Sequence, residues 1–170
     1  MSRPRITVLC EDKQHEAFVR RFMKRRNRDV YVVPRPSTGA GERFVRDQFP
    51  VYLDAVRKRG GILVTMIDGD RHSTAQRLKQ LDDACRQREV LPLRPEDNAV
   101  VFVPVRNIET WLYYLNGKEV NETDPYPRLN RERDCKPLVI ALDEMCKAGR
   151  LRSPSPPSLD AACQEYLRVF

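Results

Sequence analysis

Gly61-Ile62-Leu63-Val64-Thr65-Met66-Ile67-Asp68-Gly69-Asp70-Arg71-His72-Ser73-Thr74 reads as a buried strand that ends in two carboxylates. The apolar run Ile62 to Ile67 is rich in β-branched residues, which suits a strand covered on both faces, and Gly60-Gly61 supplies the turn into it. At period-two spacing, Asp68 and Asp70 would point to one side of an extended segment, with Gly69 leaving the backbone open between them. Two close carboxylates repel unless one is protonated or a cation sits between them. A hard ion, Mg²⁺ or Mn²⁺, meets that need. The plainer alternative is a turn begun by Asp68 and a helix capped by Ser73 or Thr74.

Toward the N-terminus, Ile6 to Cys10 is a second buried strand, and it stops abruptly at Glu11-Asp12. Ala17, Phe18, Phe22 and Met23 then recur at helical spacing opposite a face of Arg20, Arg21, Lys24, Arg25 and Arg26. Val30 to Val33 forms a short strand, Pro34 to Gly41 a connector, and Arg43 to Lys58 a helix that Pro50 is expected to kink or split. Toward the C-terminus, Ala75, Leu78, Leu81 and Cys85 make an inward helical stripe. Ala99 to Val105 is the fourth strand, with Pro104 near its end marking an edge or a ladder that ends there. Arg106, Asn107 as N-cap and Glu109 fall at the next strand-to-helix junction, where a local ion pair is the plain reading.

Residues 119–170 read as a polar loop and two helices, a C-terminal extension packing on a core of residues 1–118. The alternation of strands and helices predicts an α/β fold, a Rossmann-like, mostly parallel four-stranded sheet flanked by helices. With 170 residues the chain is a single domain by length. No apolar run is long enough to span a bilayer, and the basic start leads into a strand, so no membrane association and a cytoplasmic location are expected. Five scattered cysteines without a CxxC pair read as reduced thiols, and His15 and His72 share no zinc-ligand spacing with them. The net charge of +7 points to polyanions, nucleic acid first.

Sites in parallel sheets form at the carboxyl ends of strands. Here three strands end in acids: Glu11 and Asp12 after the first, Asp68 and Asp70 after the third, Glu109 just past the fourth. A shared acidic metal site explains that agreement better than solvated turns do.

In Glu11 with Glu16, Asp68-Gly-Asp70 and Asn107-Ile-Glu-Thr-Trp-Leu112, the chain resembles TOPRIM domains, and most of all the small stand-alone proteins near the OLD-family nucleases. The resemblance covers about Arg5 to Leu115. It implies a TOPRIM-like fold and a metal-dependent phosphodiester hydrolase acting on DNA or RNA, the effector of a defence or repair system with an ATPase partner. Glu11, Glu16, Asp68, Asp70 and Glu109 would then be metal ligands or their neighbours. Glu11, Asp68, Asp70, Arg106 and Glu109 would carry catalysis, with Arg106 and Arg71 set against phosphate charge. The departure is Asp12, where TOPRIM domains usually carry glycine. That substitution also admits a catalytically weak module that binds nucleic acid or a partner ATPase. A haloacid-dehalogenase-type phosphatase would want its nucleophile at the end of the first strand, and a receiver domain would want lysine where Arg106 stands. Homo-oligomerisation is left open by the sequence.

Overall fold

The computed structural model describes residues 3–170. Four parallel strands, β1 (Ile6–Cys10), β2 (Val30–Val32), β3 (Ile62–Met66) and β4 (Ala99–Phe102), lie in the order β2-β1-β3-β4. Their crossovers are α1 (Lys13–Arg25), α2 (Glu42–Arg59) and α3 (Thr74–Gln87), followed by α4 (Ile108–Leu115), a 3₁₀ turn at Glu132–Cys135, α5 (Lys136–Lys147) and α6 (Pro157–Val169). The expected α/β architecture with a parallel sheet is therefore present.

The strand order carries the main consequence. The chain leaves β1 in one direction to form β2, then crosses back over β1 to form β3 and β4. Right-handed crossovers on opposite sides of a switch point put helices on opposite faces of the sheet. The cores follow. Ile6, Val8 and Cys10 pack with α1, α4, α5 and α6, whereas Leu9, Leu63 and Val101 pack with Val45, Phe49 and Leu53 of α2 and Leu81 and Cys85 of α3. Between β1 and β3 the two connections part, leaving a crevice at the strands' carboxyl ends.

Local chemistry sets the elements. Asp12 caps α1 by accepting from His15 N at 2.8 Å, and Ser73 with Gln76 forms a reciprocal capping box on α3. Pro50 does not split α2, which runs unbroken from Glu42 to Arg59. The ring costs one backbone bond, and burial of Val45, Phe49, Pro50 and Leu53 on the sheet carries the helix across it. β4 stops at Phe102, short of Pro104, whose carbonyl instead accepts from Gly69 N at 2.8 Å.

Helices α5 and α6 share the core of the sheet's first face. Leu138, Val139, Leu142, Leu159 and Ala162 join Trp111 and Tyr114 there, and Trp111 Nε1 donates to Ser158 Oγ at 2.8 Å. No helix among the described residues is long and apolar enough to cross a membrane.

Candidate metal centre at the switch point

Glu11 is the first residue beyond β1, and its carboxylate accepts from Asp68 N at 2.7 Å, tying the two strand ends together across the crevice. Asp68 is turned to His15, whose Nε2 lies 2.9 Å from Asp68 Oδ1. His15 is fully buried, and its Nδ1 has no partner among the described residues. Ligand atoms of Asp12, His15 and Asp68 all lie within 4.8 Å of one another.

The electrostatics of this group are unbalanced. Burial, reinforced by the negative charge of Asp68, pushes the Glu11 carboxyl up to about 8. Burial works against a charged His15, yet the Asp68 carboxylate outweighs it and pushes the imidazole up to about 9. Glu109, in the first turn of α4, is 8% exposed; burial raises its carboxyl, and Asp68 and Asp12 add to the effect. Its one ion-pair partner among the described residues is Arg128, at 3.7 Å and itself exposed. Acids from β1, β3 and α4 thus face one another with few cations between them.

The other expected residues are placed differently. Asp68 and Asp70 do not share the face of a strand, because β3 ends at Met66 and the chain turns at Gly69 and Asp70 (φ 52°). That turn is pinned: a Cβ on Gly69 would lie 2.8 Å from the His72 carbonyl and 3.0 Å from Val105 Cα. Asp70 N donates to the Arg106 carbonyl at 2.6 Å, and its carboxylate accepts from Arg77 at 2.7 Å. Burial raises the Asp70 carboxyl while Arg77 opposes the rise. Glu16 is drawn off by Arg35 at 2.6 Å and Arg20 at 2.9 Å, which together hold its carboxyl below the usual range against partial burial. It is not part of the Asp12–His15–Asp68 group. Arg106 adopts φ 64°, donates to the Thr123 carbonyl at 2.9 Å, and joins Asp70, Arg71 and Asn107 around a recess of about 200 Å³.

Two residues that the acidic pattern overlooks complete the arrangement. His15 occupies the same stripe of α1 as Phe18, Val19 and Phe22, so a polar group on an apolar face was its signal. Arg77 is 2% exposed and precedes Leu81 and Cys85 at i, i+4 and i+8. Its guanidinium donates to the Asp68 carbonyl at 2.8 Å as well as to Asp70, and so holds the turn that carries both aspartates.

Chemically, the group suits a divalent cation. Oxygen donors alone favour Mg²⁺, and inclusion of the His15 imidazole shifts the preference toward Mn²⁺ or a later metal. With His15 bonded to Asp68, the imidazole would orient that carboxylate rather than bind an ion itself. Compared with protein-family models, with curated proteins and with solved structures, the chain matches none.

Proposed function

We propose that the chain is a divalent-metal-dependent phosphodiester hydrolase acting on nucleic acid, of TOPRIM-like type. The observation that carries the reading is the crevice between β1 and β3, where Glu11, Asp12, Asp68 and Glu109 gather and, among the described residues, the Asp68 carboxylate has His15 as its one ion-pair partner. The resemblance in Glu11, Asp68, Asp70 and Asn107 to Leu112 adds the substrate class.

Asp12, Asp68 and Glu11 would hold the cation, with Glu109 beside them. When bound, it would lower the pKa of a water and neutralise charge on a phosphate oxygen. The chain's own groups supply the rest. Arg77 fixes the backbone of Asp68, and His15 fixes its carboxylate. Where Glu11 does not itself bind the cation, its carboxyl, pushed up to about 8 by burial and by Asp68 in the metal-free protein, would instead take a proton from the attacking water. Arg71 and Arg106, beside the recess at Asp70, would bind the phosphate. Asp12, which stands where TOPRIM domains usually carry glycine, caps α1 with one oxygen and still has a carboxylate oxygen grouped with His15 and Asp68. An ATPase partner in a defence or repair system remains part of the proposal through the resemblance alone.

The second reading, a module that binds without cutting, is favoured by one observation: His15 already offsets the charge of Asp68. Both readings are separated by incubating supercoiled plasmid, single-stranded DNA and RNA with Mg²⁺ or Mn²⁺. Cleavage that Asp68→Asn abolishes supports the hydrolase. Cation binding with no cleavage of any substrate supports the module, and cleavage that survives the substitution contradicts both.

A further inference from the structure

The opposite end of β1 is built on different chemistry. Thr7 pairs in register with Tyr31 of β2, and both follow the alternation that sends Leu9 and Val33 into the core beneath α2. At this end α2 does not close over the sheet. Tyr31 is 41% exposed, and an open groove of about 610 Å³ is lined by Tyr31, Tyr52, Thr7, Arg3, Arg5 and Arg59. The Arg5 guanidinium lies 4.7 Å above the Tyr31 ring. Burial and the charge of Tyr31 raise the Tyr52 phenol, with Arg5 opposing.

No acid lines this groove, and among the described residues none of its three arginines pairs with a carboxylate. The rest of α2 is unlike it: Arg43 pairs with Asp47, Arg46 with Glu42, and Lys58 with Asp54 at i, i+4 spacing. A solvated helix face carries compensated charge. Here uncompensated guanidinium groups converge on a concave space floored by phenol rings, the combination that takes a base on a π-face and phosphates on the surrounding cations.

We propose that this groove binds single-stranded nucleic acid, one base stacking on Tyr31 and the flanking phosphates lying on Arg3, Arg5 and Arg59. A duplex keeps its bases paired and stacked on one another and has none free to stack on the Tyr31 ring, which selects the single strand. Thr7 and Glu11 are four residues apart along β1, about 13 Å at the strand rise of about 3.3 Å per residue. The groove is therefore a surface separate from the acidic crevice and needs no metal.

The test is fluorescence anisotropy of a short labelled oligothymidylate in EDTA, where no cleavage competes. Tyr31→Ala is expected to weaken binding about 5- to 150-fold, the range found for loss of one stacking platform. Tyr31→Phe should bind as wild type does, and Arg59→Ala should reduce the salt dependence by about one phosphate contact. Asp68→Asn should leave this binding unchanged, so a protein that binds through Tyr31 but cleaves nothing defeats the hydrolase reading and not this one. Equal affinity in wild type and Tyr31→Ala, equal affinity for duplex, or a Tyr31-dependent homodimer that excludes the oligomer would each overturn the proposal.

Discussion

Two buried aspartates contact α1, and they sit in opposite electrostatic company. Asp143 on α5 has a fully buried side chain clasped by Arg25 and Arg26 at 2.8 Å and Lys147 at 2.9 Å. Those three cations outweigh the cost of burial and hold its carboxyl below the usual range. Asp68 has one imidazole, with Glu11, Asp12 and Glu109 crowded nearby, and Glu11 is displaced upward as a result. A buried acid that is over-supplied with cations holds helices together. A buried acid with fewer cations around it, at a sheet's switch point, is on the proposed reading a place for one.

The largest expected break between the two is functional. Asp68→Asn should lower metal-dependent cleavage by about three orders of magnitude, as loss of a group acting directly on a reacting centre does. Asp143→Ala should leave cleavage by the folded protein intact, measured by initial rates well below the melting temperature. Stability should show the converse. Removing Asp143 leaves three facing cations without their anion and should cost about 3 kcal/mol by urea denaturation. Asp68→Asn should cost less, since it relieves repulsion on Glu11 while losing the His15 contact.

Much of this contrast was open to sequence reasoning, and part of it was closed. β1, β3 and β4 announce themselves as apolar runs too continuous for exposed strands, and the acids at their ends follow directly. Through the resemblance, Glu16 was expected beside Glu11 as a further metal ligand or a neighbour of one. Its fate depends on Arg35, 19 positions away in a connector, and no local pattern reports that. The spacing of Asp68 and Asp70 suggested a shared strand face, but β3 ends early because Gly69 must pack against Pro104 and Val105. His15 and Arg77 were visible as polar residues interrupting apolar stripes. Only the fold shows that both interruptions point at Asp68.

Arg77→Met sharpens the comparison at smaller scale. It keeps the stem's packing but frees the Asp68 carbonyl and the Asp70 carboxylate, and should cost about 2 kcal/mol while weakening cation affinity. Arg77→Lys should recover little, since one ammonium cannot reach both acceptors.

A different kind of effect is a pH dependence of the metal-free protein. Glu11 is raised from 4.5 to about 8 and His15 from 6.5 to about 9, so the folded state binds more protons than the unfolded chain across that interval. Stability from both groups is present at low pH and is lost as pH rises through the folded values. Melting temperature should therefore fall between about pH 4.5 and pH 9. Glu16, Glu42, Asp97 and Asp143 are all lowered, so their contributions are lost only in acid, below the normal carboxylate range. Saturating Mn²⁺ should flatten the alkaline fall, and a scan in which it does not would detach that fall from the crevice.

The most direct measurement is calorimetric titration of Mn²⁺ into wild type, Asp68→Asn and Asp143→Asn at neutral pH. Binding in wild type and Asp143→Asn, with at least a tenfold loss in Asp68→Asn, is the expected result. Equal affinity in all three folded proteins, or no binding in any, would contradict a metal centre between β1 and β3.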